Sequence, residues 1–227
     1  MENQNPTPTP QRGGNNYVDL AGYTTQCEVA LSNAADAEIA PLLAARGYAA
    51  VTIAAKQTEL ANVKKLIANQ IKEYGEQYAA TKDYDDAVIL IHPNYIDHID
   101  LARIAFKNDT AAKTALGLKG DRKQSESGYR AQASLFYNGL LDNNDYKAAM
   151  AIKGVTDAEL VKAEKAYDAL GKKIADKLKE TGEAQAATKA RDKAIDDFAD
   201  WFSDFKEVAK IALRQKPQLR EKLGWKE

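Results

Sequence analysis

The sequence predicts an all-α protein, an elongated helical bundle made by tandem internal duplication, with one long helix and several short ones in each copy. Two observations carry this reading. Sliding the chain over itself by 107 residues aligns KEYGEQYAATKDYDDA (72–87) with KETGEAQAATKARDKA (179–194). A seven-residue apolar stride then runs through the middle of both copies.

The alignment holds without a gap from residue 44 to residue 119, and more than a quarter of the paired positions are identical. Gly47 falls on Gly154, Ile67 on Ile174, Thr81 on Thr188, Leu116 on Leu223 and Gly117 on Gly224. Upstream, Tyr23 and Gln26 correspond to Tyr129 and Gln132 once the register slips by one residue. The chain therefore divides into a tail (1–16), a first helical repeat (17–118), a polar joint (119–128) and a second repeat (129–227), with the repeats packing as one unit.

The tail mixes Pro, Thr, Gly, Asn and Gln without apolar periodicity, which predicts a flexible end. Each copy then opens with two short helices, at 18–33 and 36–46 in the first and at 126–141 and 144–153 in the second. Gly47 and Gly154 stand where a C-terminal cap needs a left-handed backbone. Thr156 and Glu159 have capping-box spacing for the helix that follows.

That next helix is the long one. Its stride reads Ile53, Leu60, Ile67, Tyr74, Thr81, Val88, Tyr95, Ala102 in copy one. Copy two gives Leu160, Tyr167, Ile174, Thr181, Thr188, Ile195, Phe202, Ala209. Unbroken phase favours one helix of about 55–60 residues per copy, with the two seams buried against each other in coiled-coil fashion. A hairpin at Gly75 and Gly182 is the alternative. Ala79, Ala80, Ala186 and Ala187 lie near the midpoints, where small residues let antiparallel helices cross closely. Pro93 is expected to kink or restart the helix after Ile91. Each copy closes with a short helix, capped by Thr110 or opened by Pro217 and ended by Gly117 or Gly224. Leu219 and Leu223 should fold back onto the aromatic end of the long helix.

Composition narrows the partners. The 32 basic and 33 acidic side chains nearly cancel, so no global field draws the protein to nucleic acid or anionic lipid. Cys27 is the only cysteine, which excludes an internal disulfide and suits a buried core position in a reducing compartment. Neither a signal peptide nor a membrane-spanning run is expected, and the default location is the cytoplasm.

Chemistry-bearing patterns are sparse. His92 and His98 are six apart, about 120° around a helix, which does not make a metal pair. They read as solvated residues, although Asp97 and Asp100 stand beside them. Neither follows a glutamate at three-residue spacing, so a di-metal bundle site is not formed. Asp85/Asp86 and Asp196/Asp197 fit a solvated charged face better than acid–base work. No catalytic, cofactor-binding or metal-ligating residue is assigned, and no cofactor is expected. Phe198, Trp201, Phe202 and Phe205 form an aromatic stripe that reads as core, with Trp201 one step off it and a candidate for partner contact. Lys119, Arg122, Lys123 and Arg130 are the densest basic group. Without interleaved aromatics they would bind nucleic acid only weakly, and Arg122 and Lys123 are the candidate contacts there.

The C-terminal quarter, through Trp201, Asp204, Phe205, Ile211, Ala212, Pro217, Leu219, Leu223 and Gly224, resembles a pattern of uncharacterised all-helical proteins of bacteria. Copy one departs from it at Asn94 and Thr110. The resemblance implies a helical fold and no activity, substrate or site. The function expected from these residues is that of a non-enzymatic structural or protein–protein interaction element: a spacer, adaptor or assembly subunit that binds a protein partner or itself. The alternative is a small-molecule or nucleic-acid binding module using the aromatic end of repeat two or the basic joint.

Overall fold

A computed structural model describes residues 19–225, and every regular element in that range is a helix. They are α1 (Leu20–Asn33), α2 (Ala40–Ala44), α3 (Ala50–Ala105), α4 (Thr110–Ala115), α5 (Glu126–Leu141), α6 (Asn144–Ala151), α7 (Asp157–Ala212) and α8 (Gln218–Lys222). The tail and the expected helical start at Val18 lie outside the described residues. Both ends of α7 are those of α3 displaced by 107 positions, so the duplication read from the residues extends to the helix boundaries.

Local chemistry sets these boundaries. The Asp19 carboxylate accepts from the Ala21 amide at the start of α1, and the Ser125 hydroxyl accepts from the Gly128 amide at the start of α5. At α7, Thr156 and Glu159 form the reciprocal capping box: Thr156 N donates to Glu159 Oε2 (2.8 Å) and Glu159 N to Thr156 Oγ1 (3.3 Å). Gly47 and Gly154 have φ of 91° and 83°, and Gly117 and Gly224 have φ of 63° and 81°. All four end helices in the left-handed region that a Cβ disfavours.

Four expectations need correction here. The cap of α4 is Asp109, whose carboxylate accepts from the Ala112 amide at 2.8 Å, while Thr110 is already inside the helix. The second short helix begins only at Ala40, because the Asp36 carboxylate accepts from the Glu38 amide and holds the preceding residues in a turn. Its counterpart α6 stops at Ala151, two residues before the expected end. Pro93 does not restart α3, which runs through it to Ala105. Pro93 and Ile89 are both exposed, so the carbonyl that loses its helical donor faces water. Gly75 and Gly182 lie within uninterrupted helix, which resolves the choice between rod and hairpin in favour of the rod.

The described helices sort into two compact units: the described residues up to 70 with those from 187 onward, and residues 71–186. Unit 1 holds α1, α2, the first part of α3, the second part of α7, and α8. Its core joins Ile53, Leu60 and Val63 of α3 to Phe198, Phe202, Phe205 and Ala209 of α7, with Cys27, Leu31, Leu43, Leu219 and Leu223 from the short helices. Unit 2 holds the rest of α3, then α4, α5, α6 and the first part of α7. There Tyr84, Tyr95 and Ile99 of α3 meet Leu160, Tyr167 and Leu170 of α7, with Phe136, Tyr137, Leu140 and Met150 packed between. In each unit the start of one long helix meets the end of the other, so the two run antiparallel.

The seven-residue stride supplies this seam. Ile53, Leu60, Tyr95, Ala102, Leu160, Tyr167, Phe202 and Ala209 are all buried. Ile67, Thr81, Val88, Ile174, Thr181, Thr188 and Ile195 are half-buried. Tyr74 is the exception and is exposed, in a stretch of α3 that contributes nothing to either core. The buried phase of the small residues also differs from the one expected. Ala184 and Ala187 are buried and Ala80 half-buried, whereas Ala79 and Ala186 are exposed.

Gly75 and Gly182 are exposed in mid-helix, and a Cβ built on either meets no atom within 4 Å. Replacing either with alanine should raise the unfolding free energy by about 0.5–1 kcal/mol, since only the backbone-entropy penalty of glycine is removed. Chemical denaturation of Gly75→Ala and Gly182→Ala checks this. A loss of stability in either would mean that the chain turns there.

Candidate functional site

Trp201, Arg122 and Lys123 are the sequence-derived contacts, and they fall in different units. Trp201 sits half-buried in unit 1 on the flank of α7. Its ring stacks on Phe205 at 5.3 Å and 7°, lies 5.8 Å from Tyr48, and carries the Lys56 ammonium at 5.0 Å. Most of the indole is thus engaged within the fold. Arg122 and Lys123 are exposed in the segment between α4 and α5 of unit 2. The Lys123 amide donates to Gln132 Oε1 (3.0 Å), which ties this segment to α5. Arg130, grouped with them by sequence, points elsewhere. Its Nε donates to the Tyr167 carbonyl at 3.4 Å, and its guanidinium occupies the space beside Gly171 where a Cβ would come within 2.6 Å.

Sequence reading missed the polar centre of unit 2. Tyr129 and Tyr137 are eight apart on α5 and share its inner face, while His92, Tyr95 and His98 follow at three-residue intervals on α3. Both histidines reach α5 despite their angular separation, because they flank Tyr95 on either side. His92 Nδ1 lies 2.9 Å from the Tyr129 hydroxyl and His98 Nδ1 lies 3.1 Å from that of Tyr137. The Tyr129 and Tyr167 hydroxyls are 2.6 Å apart, which makes a chain from an exposed imidazole to a buried phenol. The expectation of solvated histidines holds for His92, whereas His98 is half-buried.

Burial dominates the electrostatics here. It pushes the Tyr95 phenol up to about 12 and raises those of Tyr129, Tyr137 and Tyr167 above their usual range. It also lowers His98, against the opposing pull of Glu159 and Asp97. Fully buried Tyr95 has four aromatic neighbours within 6.0 Å, yet its hydroxyl has no hydrogen-bond partner. The equivalent positions of unit 1 are Phe202 for Tyr95, Leu60 for Tyr167, Leu31 for Tyr137, Ala199 for His92 and Phe205 for His98. The same fold therefore forms without the network. Cys27, buried in unit 1, has its thiol pushed up to about 11 by desolvation, as befits a core residue.

Two surface features complete the inventory. Glu73, Glu76 and Glu180 bring carboxylate oxygens within 4.8 Å of one another. Lys72 pairs with Glu73 and Glu76, and Lys179 with Glu180 and Glu183, so ammonium groups already balance these acids. The second feature is apolar and repeats. Ile104 is 58% exposed and its counterpart Ile211 49%. Ile71 and Leu178 are likewise both exposed, as are Val29 and Leu135 across the one-residue slip. A Cβ on Gly224 would stand 3.3 Å from Val29, and one on Gly117 would stand 3.2 Å from Leu135, so each unit seats the same contact. In unit 2, Ile104 lines an open cleft of about 790 Å³ with Lys107, Asp109, Thr110 and Lys153.

No helix of the described residues is long and apolar enough to cross a membrane. Comparison of the chain with protein-family models, curated proteins and solved structures returned no match.

Two sets of variants test the buried network. Tyr95→Phe, which installs the residue of the twin position, should stabilise the protein by about 1 kcal/mol by removing an unpaired hydroxyl. Tyr129→Phe should cost about 1–2 kcal/mol, because its hydroxyl serves both His92 and Tyr167. Equilibrium urea unfolding measures both. For His98, the folded state disfavours the charged form, so its pKa lies below the ordinary 6.5. Its contribution to stability is present above that value and is lost as pH falls through the depressed folded value. His98→Phe should flatten the acid-side slope of stability against pH, and an unchanged slope would show that other groups set it.

Proposed function

We propose that the protein is a non-enzymatic structural or interaction element, an adaptor or assembly subunit, that offers one docking feature twice. The observation that carries this reading is the pairing of exposed apolar side chains by the duplication, Ile104 with Ile211 above all. Isolated exposed apolar residues are ordinary. Retention of an exposed isoleucine at both copies of one position is a different matter, because packing alone does not demand it. A cleft beside Ile104, edged by Lys107, Asp109 and Lys153, supplies the polar rim that surrounds the apolar centre of most protein contacts. Exposed isoleucines at two equivalent positions suit a chain that brings two like neighbours together. The single cysteine, which leaves no internal disulfide, and the balanced charge agree with a cytoplasmic setting.

Native mass measurement of the tagged chain isolated from the cells that make it tests the reading. The wild-type chain should carry two copies of one partner, Ile104→Lys and Ile211→Lys one copy each, and the double variant none. Helical circular dichroism should be the same in all four. A chain recovered alone, or loaded equally in all four forms, would overturn the proposal.

A further inference from the structure

The duplication also acts as an internal control for surface chemistry. Where two positions occupy equivalent places in equivalent helices, a polar residue in one copy shows that the fold does not need an apolar one in the other. Most exposed apolar residues of α3 fail that test of necessity. Tyr74 corresponds to Thr181, Tyr78 to Gln185, Ile89 to Asp196 and Leu90 to Asp197. Of the five large exposed apolar residues between positions 71 and 90, Ile71 alone keeps an apolar twin, Leu178. All five are well exposed in unit 2: Ile71 66%, Tyr74 40%, Tyr78 67%, Ile89 71% and Leu90 76%.

Helix geometry turns four of them into one stripe, while Leu90 stands about 100° around the helix from Ile89. Ile71 and Ile89 stand five full turns apart, on the same azimuth and separated by about 27 Å. Tyr74 and Tyr78 fall on the same face between them, followed by Lys82 and Asp86, which pair with each other one turn apart. We infer that this stripe of α3 is a self-association surface that takes the same stripe of a second copy of the chain.

The choice of a second copy rests on the order of the residues. About a midpoint at Ala80, Ile71 mirrors Ile89, Tyr74 mirrors Asp86 and Tyr78 mirrors Lys82. A two-fold antiparallel pairing of two such helices sets isoleucine on isoleucine at both ends. It gives each Tyr74 hydroxyl a carboxylate to donate to, and each Tyr78 ring an ammonium to face. Attraction at every level of a two-fold contact is what isologous association requires. The corresponding stripe of α7, with Gln185, Lys189, Lys193 and Asp196, has no such order.

Five turns of one helix bury less than the roughly 800 Å² per partner of a standard interface, so the dimer is a weak one. The inference shares with the preceding proposal only the premise that exposed apolar surface marks contact. It uses other residues, so either can fail alone.

Sedimentation equilibrium of the full chain across micromolar to millimolar concentrations tests it. Wild-type protein should pass from monomer to dimer. Tyr78→Gln combined with Ile89→Asp, both residues already carried by the twin helix, should weaken association at least tenfold while helical circular dichroism and thermal stability are retained. Ile104→Lys with Ile211→Lys should dimerise as the wild type does. A wild-type chain that stays monomeric to millimolar concentration overturns the inference, and the stripe would then belong to a different protein. Dimerisation of the Tyr78/Ile89 variant within twofold of wild type overturns it as well.

Discussion

The antiparallel seam between α3 and α7 is the constraint on which everything else depends. Each short helix is marginal alone and finds apolar partners on surfaces to which both long helices contribute, as well as on neighbouring short helices. Burying a Phe, Leu or Tyr of the seam contributes on the order of 1.5–3 kcal/mol apiece, so the stride residues at the helix ends account for much of each core. Away from the exposed stripe of α3, Lys, Glu, Asp and Gln fill much of the remaining faces and pair at i,i+4 spacing.

Much of this was legible in the residues. The duplication, the two long helices and the glycine stops follow from spacing alone, because helix phase and left-handed caps are local properties. So does the return of Leu219 and Leu223 onto Phe198, Phe202 and Phe205. The errors have equally local causes. Pro93 breaks a helix only where the freed carbonyl is shut away from water, and its exposure is a tertiary fact. Asp109 outcompeted Thr110 as a cap because a carboxylate accepts an amide hydrogen bond more strongly than a hydroxyl does. The tyrosine–histidine centre was the larger omission. Its members come from three helices, and no interval along the chain announces that Tyr129, Tyr167 and His92 will meet.

Comparison of the units separates what the fold requires from what has been added to it. Unit 1 fills its centre with the hydrocarbon rings of Phe198, Phe202 and Phe205 beside the indole of Trp225. Unit 2 places Tyr95 and His98 where unit 1 has Phe202 and Phe205, and Tyr137 and Tyr167 where it has Leu31 and Leu60, and all of these but the Tyr95 hydroxyl find polar contacts among His92, Tyr129, Tyr167, His98 and Tyr137. One packing scheme thus supports both a dry core and a hydrogen-bonded one. The same contrast reaches the outside of the long helices, where Tyr78 and Ile89 face water at positions that in the other copy carry Gln185 and Asp196.

The two compact units are alike in plan and unlike in how the chain reaches them. Unit 2 is a single stretch, residues 71–186, whereas unit 1 needs residues from both sides of that stretch. During synthesis unit 2 has its full set of core side chains as soon as Ala187 leaves the ribosome, while Cys27, Leu31 and Ile53 must wait for Phe198, Phe205 and Leu223 to be made. The front of the chain therefore spends the interval with its apolar face uncovered. Any chaperone demand at birth should fall on α1 and α2 and not on the tyrosine-lined half.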